Sequence, residues 1–231
     1  MSTRRNFLAM GATLIASARW ARAQELCAVS TPASQAALSP EAALQRLKDG
    51  NARFLAGKSQ HCDLLAQVKA TAGGQAPFAA VLSCMDSRVA PELVFDQQIG
   101  DIFAVRIAGN FVDTDILGSL EYATEVAGAK LIVVLGHSDC GAIKGAIDDV
   151  KLGNLTALLK QIQPAIEQVG ESGKTSKDKA YVQRVADQNA KDAPAALTRR
   201  SPILSARVKK GQLKLVAAMH DVSTGQVTFF S

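Results

Sequence analysis

Two short cysteine-containing motifs carry residue types that bind transition metals. The first is Cys84–Arg88 (CMDSR), and the second is His137–Gly141 (HSDCG). Thiolates and imidazole are preferred zinc ligands, and three protein ligands leave one coordination position open, as in catalytic zinc sites. Either motif alone is a weak signal. Together they predict a zinc site formed by Cys84, His137 and Cys140.

Asp86 and Arg88 add acid–base chemistry to the first motif, because they follow its cysteine after two and four residues. An arginine can hold a carboxylate bidentately and keep it ionised. Asp86 could then accept a proton or a hydrogen bond from metal-bound water and orient a hydroxide for attack. Two alternatives remain at this stage: Asp86 binds the metal itself and closes the site, or the pair is a structural ion pair.

Strands are predicted in front of both motifs. Three apolar runs have strand length: Phe78–Ser83, Ile102–Ile107 and Leu131–Gly136. Because the runs are almost unbroken and a helix-like stretch, Ile116–Ala127, separates the last two, they predict a parallel sheet buried on both faces. The first run ends at one motif and the third run ends at the other. Sites gather at the carboxyl ends of parallel strands, which would bring the motifs together.

The remaining sequence predicts helices around this sheet. Ser39 is a predicted N-cap with Pro40 at the first helical position. Further elements are expected as helices at 141–170 (with a kink or break at Pro164), Tyr181–Gln188 and Ile203–Lys209, and as a terminal hairpin of Leu213–Met219 and Val227–Phe230. A helix that begins at Gly141 would favour the thiolate form of Cys140. The predicted fold is one α/β domain over residues 39–231, with a central, mainly parallel sheet of about four to five strands flanked by helices.

The first 23 residues are typical of an export signal. Thr3–Leu8 (TRRNFL) contains a twin-arginine pattern, and Ala21–Ala23 (ARA) resembles a cleavage site. The apolar run between them is too short to span a bilayer. We therefore expect cleavage after Ala23 and a periplasmic or secreted protein without a stable membrane anchor. The alternative is a soluble N-terminal helix.

Charge gives no indication of a nucleic-acid partner. The whole chain carries a net charge of +5. The predicted signal contains four arginines and no acidic residue, so the chain that follows it is nearly balanced in charge. The basic character therefore belongs mainly to targeting.

Cys27 and Cys62 lie outside both motifs, in or beyond a predicted arm at residues 24–38. Disulfides are common in oxidising compartments, so the two cysteines could pair, although no spacing rule supports the pair.

Non-enzymatic zinc binding is an alternative function. A structural zinc site would be expected to contain a fourth Cys or His, and Cys27 and Cys62 lie outside any such spacing. A thiol redox protein would be expected to contain Cys-x-x-Cys, which this sequence lacks. His61 and His220 are expected to be surface or core residues rather than ligands.

The paired motifs resemble the signature of β-class carbonic anhydrases. The similarity extends from about residue 40 to the C-terminus and includes Leu47–Phe54, Val105–Asn110, Glu121, Tyr122 and Asp221–Gly225. The resemblance implies reversible hydration of carbon dioxide to bicarbonate and a proton by a zinc-bound hydroxide, with one Zn2+ per subunit held by the two cysteines and the histidine. It also implies that Asp86 and Arg88 form the catalytic dyad, and it requires no organic cofactor.

Further residues match positions that line the substrate pocket in the plant-like branch of this family. They are Gln75, Val89, Phe103, Tyr122 and Gly141. In that branch a glutamine and an aromatic residue come from the neighbouring subunit, so the resemblance implies a homodimer or a higher homo-oligomer. Another branch has a tryptophan three residues before the first zinc cysteine, for a regulatory bicarbonate pocket; Val81 occupies that position here. Some relatives hydrolyse carbonyl sulfide or carbon disulfide, which is the alternative activity.

Overall fold

The structure is a computed structural model that describes residues 27–171 and 173–230. The predicted signal at residues 1–23 lies outside these described residues, as do residues 24–26 of the predicted arm. Within the described ranges, no helix combines the length and the apolar character that crossing a membrane would require.

A five-stranded sheet forms the centre of the fold. Its strands are β1 (Ala79–Ser83), β2 (Ile102–Arg106), β3 (Leu131–His137), β4 (Lys214–His220) and β5 (Val227–Phe229). The spatial order is β2-β1-β3-β4-β5; the first four strands are parallel, and β5 is antiparallel to β4. The predicted mainly parallel sheet and the terminal hairpin are both confirmed.

The two central strands, β1 and β3, are buried along their whole length. Successive side chains of a strand point to opposite faces of the sheet. In β1, Ala79 and Val81 pack into one core cluster, and Ala80 and Leu82 pack into another. Burial on both faces explains why these strands are unbroken apolar runs in the sequence.

Helices cover both faces of the sheet. In chain order they are α1 (Pro32–Ala37), α2 (Pro40–Leu55), α3 (Leu64–Thr71), α4 (Pro91–Val94), α5 (Thr114–Glu121), α6 (Gly141–Ile147), α7 (Gly153–Leu159), α8 (Gln163–Val169), α9 (Lys179–Arg200) and α10 (Pro202–Lys209). A π-helical turn, Tyr122–Val126, continues α5, and a short 3-10 turn joins α7 to α8. Polar N-caps begin several helices: the side chains of Ser39, Asp113 and Ser201 each accept a backbone N–H from the first turn of the helix that follows.

Two helix predictions differ from the structure. The predicted helix Tyr181–Gln188 is part of the 22-residue α9, which passes through Pro194. Proline removes a helical hydrogen bond and usually ends a helix. The buried side chains of Ala190, Ala193 and Leu197 pack into the core on both sides of Pro194, and this packing maintains the helix.

The predicted helical stretch at residues 141–170 is divided into α6, α7 and α8. The main break lies at residues 148–152 rather than at Pro164. Pro164 lies in the first turn of α8, where the missing N–H would have no helical partner. It therefore helps to begin a helix instead of kinking one. The short helices α3 and α4 were not predicted.

The structure contains a disulfide between Cys27 and Cys62, with their Cα atoms 5.5 Å apart. The pair is separated by 35 positions in the chain. The bond joins the beginning of the described arm to the residue just before Asp63, the N-cap of α3. It answers the question of pairing that the sequence left open.

We predict that Gly50→Ala destabilises the fold, because an added Cβ would lie 1.8 Å from the carbonyl oxygen of Phe95. Overpacking of this kind costs about 3 kcal/mol, at the upper end of its usual range. The matched control is Gly73→Ala, whose Cβ would meet no atom of the described residues within 4 Å beyond its chain neighbours. Urea denaturation should show a reduced free energy of unfolding for the first variant only. Equal stability of the two variants would contradict the close contact between α2 and the chain after α4.

Candidate metal centre

Two parallel strands bring Cys84, His137 and Cys140 together. Ser83 of β1 lies level with Leu135 of β3, so the residue after β1 reaches the carboxyl end of β3. Cys140 is the N-cap residue of α6, which begins three residues after β3. The ligand atoms of the two cysteines and the histidine all lie within 4.8 Å of one another, and all three residues are buried. The sulfur atoms are 4.0 Å apart.

The imidazole of His137 is oriented by its own neighbour in the chain. Its Nδ1 lies 2.9 Å from the carbonyl oxygen of Ser138. A carbonyl can only accept, so Nδ1 carries the proton and Nε2 keeps a free lone pair. Nε2 is buried and has no hydrogen-bond partner among the residues that the structure describes. An unpartnered buried nitrogen beside two thiols is a suitable arrangement for a metal ion.

The contact between the two buried thiols shifts their pKa values in opposite directions. The hydrogen bond from Cys140 lowers the pKa of Cys84 to about 4 although burial opposes this shift, and the backbone N–H of Gly109 acts in the same direction as Cys140. The same contact with Cys84, together with burial, raises the pKa of Cys140. The start of α6 was expected to favour the thiolate of Cys140, but its backbone N–H groups have a smaller effect than the neighbouring sulfur.

Asp86 lies beside this cluster and is held by Arg88. The guanidinium donates from Nε to Asp86 Oδ1 at 3.0 Å and from Nη2 to Oδ2 at 2.8 Å. These hydrogen bonds hold the pKa of Asp86 well below its usual range, although partial burial opposes them. Asp86 Oδ2 is 3.9 Å from Nε2 of His137. An ionised carboxylate therefore lies next to the unpartnered histidine nitrogen.

Several residues that support the site were missed from the sequence. Arg106, at the end of β2, donates to the carbonyl oxygens of Cys84 at 3.2 Å and Asp86 at 2.7 Å. Asp139 forms ion pairs with both Arg88 and Lys144. A charged residue inside an otherwise apolar strand is a signal that could have identified Arg106.

Gly109 places a backbone donor against the first thiol. Its N–H lies 3.4 Å from the sulfur of Cys84, and its carbonyl accepts from Asn189 at 2.9 Å. Gly109 has a φ of +80°, which favours glycine, and an added Cβ would lie 2.7 Å from Cδ1 of Ile162. The close approach of this loop to Cys84 therefore depends on the absence of a side chain.

The sequence-predicted pocket residues are not all near this cluster. Gly141 is the first residue of α6, directly after Cys140. The side chain of Val89 is fully buried in the core. Phe103 and Tyr122 contact each other edge to face, with ring centroids 6.2 Å apart. Gln75 is exposed in the loop between α3 and β1.

Gln75 lies near the amino ends of the parallel strands, whereas the metal cluster lies at their carboxyl ends. Phe78 extends the amino end of β1, since it bonds to Asp101 before β2 and Lys130 before β3. Six residues of extended chain from Phe78 to Cys84 span about 20 Å. The three residues from Gln75 to Phe78 cover at most about 10 Å. Gln75 is therefore outside direct reach of the cluster of its own chain.

Neither of the other two histidines belongs to the ligand group. His61 is exposed. His220 is buried at the end of β4, level with His137 of β3. Burial lowers the pKa of His220, which favours its neutral form.

Comparisons with known proteins agree on one family. The family model described as carbonic anhydrase matches residues 79–227. Carbonic anhydrase 2 of Mycobacterium tuberculosis is 37% identical over 194 residues, which is 81% of this chain and 91% of that protein.

Solved structures show the same similarity. A β-carbonic anhydrase of Aspergillus fumigatus aligns with a TM-score of 0.65 at 25% identity and covers 83% of this chain and 90% of its own. A chain from the tetrameric β-carbonic anhydrases of Sordaria macrospora aligns with a TM-score of 0.62 at 25% identity, over 71% of this chain and 85% of its own.

We predict that Cys84→Ser removes most of the bound metal, because a hydroxyl is a poor replacement for a soft thiolate ligand. Metal content of the purified protein, measured by mass spectrometry of the elements, should fall below about a tenth of the wild-type value. The control is Cys27→Ser with Cys62→Ser, which removes two sulfurs outside the cluster and should keep the metal. Circular dichroism checks that the variants are folded. Full metal content in a folded Cys84→Ser protein would contradict the assignment.

Proposed function

Because this chain belongs to the β-class carbonic anhydrase family and is a carbonic anhydrase enzyme, we propose that it hydrates carbon dioxide reversibly to bicarbonate at a zinc ion held by Cys84, His137 and Cys140. The observation that carries the proposal is the ligand cluster itself, with an ionised carboxylate beside it. The alternative of a purely structural zinc site lacks a fourth Cys or His in the ligand group among the described residues.

Zinc fits the donor set of this cluster. Two sulfurs bound to one tetrahedral zinc at about 2.3 Å would lie roughly 3.8 Å apart, close to the observed 4.0 Å. The unpartnered Nε2 of His137 supplies the third donor, and Ser138 fixes its tautomer. When bound, zinc supplies hydroxide at neutral pH by lowering the pKa of a coordinated water to about 7.

Asp86 orients the attacking water by accepting a hydrogen bond. Its pKa is held well below the usual range by Arg88, so the carboxylate stays an acceptor throughout the working pH range and does not retain a proton. Because Arg88 donates to both oxygens, its guanidinium holds the Asp86 carboxylate in the position seen in this structure, with Oδ2 3.9 Å from Nε2 of His137. We therefore assign the arrangement with an intact Asp86–Arg88 pair to the active state and a zinc-bound Asp86 to a closed one.

The active enzyme is a homodimer or a larger homo-oligomer. Gln75 lies toward the amino edge of its own sheet, and Phe103 lies level with Ala80 in the amino half of β1. These residues could line a substrate pocket only beside the metal cluster of another copy. Apolar side chains near Phe103 are exposed on the single chain, including Tyr122 at 50% and Val126 at 71% exposure. Their exposure supports a surface here that another subunit covers. The similar Sordaria macrospora enzymes are tetrameric.

The enzyme acts outside the cytoplasm, in the periplasm or as a secreted protein. The twin-arginine pattern at residues 3–8 supports this, although it lies outside the described residues. The disulfide between Cys27 and Cys62 gives independent support, because such bonds persist mainly in oxidising compartments. Cys84 and Cys140 form no disulfide, which leaves both sulfurs available to bind a metal as thiolates.

We predict that Asp86→Asn keeps zinc and loses most of its hydration rate. Asparagine preserves the shape of the side chain but removes the negative charge. The charged carboxylate holds Arg88 and accepts a hydrogen bond from the attacking water. The value of kcat/KM in stopped-flow carbon dioxide hydration should fall at least about 10²-fold, the lower limit of usual acid–base contributions. Asp149→Asn is a matched control, since Asp149 is exposed and lies outside the cluster. Wild-type activity in a zinc-loaded Asp86→Asn enzyme would remove Asp86 from the mechanism.

We predict that Arg4→Lys with Arg5→Lys leaves unprocessed protein in the cytoplasm of the producing cell, because the export route reads the arginine pair. Cell fractionation and immunoblotting measure both the location and the length of the chain. Arg19→Lys is the control, since it changes an arginine of the same segment outside the pair. Normal processing of the double variant would point to another route.

A further inference from the structure

The described part of the N-terminal arm, residues 27–38, is fastened to the chain that leads to Gln75. The disulfide joins Cys27 to Cys62, immediately before α3. The side-chain amide of Gln67, on α3, donates to the carbonyl oxygen of Cys27 at 3.1 Å. The beginning of the arm is thus held to α3 by one covalent bond and one partly buried hydrogen bond.

The arm also holds the backbone on the other side of Gln75. The hydroxyl of Ser30 donates to the carbonyl oxygen of Ala76 at 2.7 Å. The amide of Gln35 donates at 2.7 Å to the carbonyl oxygens of both Pro77 and Ala127. These contacts fix the two residues that directly follow Gln75 in the chain.

The loop that carries Gln75 has little to fix it on its own. Gly73 and Gly74 precede Gln75, and apart from the chain neighbours no atom of the described residues lies within 4 Å of the position of a Cβ on either glycine. Glycines allow the backbone many conformations, so this loop would sample a wide range without external contacts. The arm supplies such contacts on both sides of the glycine pair.

We propose that the arm is a positioning clamp that holds Gln75 in place for the active site of a neighbouring subunit. Ser30 and Gln35 are positioning residues, and the disulfide keeps them attached to α3. The inference rests on the proposed function, in which Gln75 lines the pocket of another copy. A side chain held near its productive position contributes to rate through orientation, so a loosened clamp should reduce activity without removing zinc.

Mixed dimers with a single metal site test this clamp. One chain carries Cys84→Ser and a first affinity tag, so that the only metal site belongs to the other chain, which carries a second tag. Ser30→Ala with Gln35→Ala is then placed in one chain or in the other. In the Cys84→Ser chain, the clamp variant loosens the arm that positions Gln75 for the zinc site of the other chain. In the zinc-containing chain, it loosens the arm that positions Gln75 for the site that has lost its metal.

We expect kcat/KM for carbon dioxide hydration to fall about tenfold when the clamp variant is in the Cys84→Ser chain, and to be unchanged when it is in the zinc-containing chain. Zinc content should be equal in the two arrangements. Cys27→Ser with Cys62→Ser should show the same dependence on position. Ser30→Thr, tested alone in the Cys84→Ser chain, retains a hydroxyl and should keep the activity that Ser30→Ala loses. Ser34→Ala is the matched control, because the hydrogen bonds of Ser34 are to Thr31 within the arm.

Gln75→Ala in the same two arrangements separates the clamp from the proposed function. Loss of activity only when Gln75→Ala is in the Cys84→Ser chain supports a role across the interface. If that loss occurs but the clamp variants have no effect in the same chain, the clamp is overturned and the shared site stands. Equal losses from the clamp variants in either chain would indicate general damage and also overturn it. If Gln75→Ala has no effect in either chain, both the shared site and the clamp are wrong.

Discussion

The parallel pairing of β1 with β3 is the constraint on which the site depends. Both strands are buried on both faces, so a slip by one residue would exchange the two sets of apolar side chains between the core clusters. The pairing places Ser83 beside Leu135, and this register determines where Cys84 and His137 emerge. The distance between the two strand-end ligands is therefore fixed by the packing of the core rather than by the loops that follow.

Charged side chains at the carboxyl ends of the strands surround the short segment that follows β1. Arg106 binds two backbone carbonyls of this segment, while Arg88 binds the carboxylate of Asp86. Asp139 lies on the other side of Arg88 and also pairs with Lys144. Each of these two carboxylates thus has a cation beside it, while the lowered pKa of the buried Cys84 thiol favours its thiolate form. A divalent cation would compensate that charge, which links the electrostatics of the edge to the proposed zinc.

The cluster of Cys84, His137 and Cys140 and the sheet that carries it could be predicted because each depends on local sequence. Cys84 and His137 lie at the ends of short apolar runs bounded by turn residues, a pattern that favours buried strands. The length of α9 could not be predicted, since burial of Ala193 and Leu197 overrides the local effect of Pro194. Nor could the pairing of Cys27 with Cys62, because their proximity depends on how the arm folds back over α3. The support from Arg106 likewise arises only when β2 lies beside β1.

The fold places the parts of the proposed active site at opposite ends of the parallel strands. The candidate metal ligands and Asp86 lie at the carboxyl ends of the strands, whereas Gln75 and Phe103 lie toward the amino ends of β1 and β2. No rearrangement of loops within one chain closes this gap, because the buried strands between the two groups are rigid and span several residues. A second copy is the simplest source of the missing pocket wall. Assembly would then be a requirement for the reaction itself, and not merely a source of stability, since a lone chain would bind zinc without being able to enclose carbon dioxide beside it.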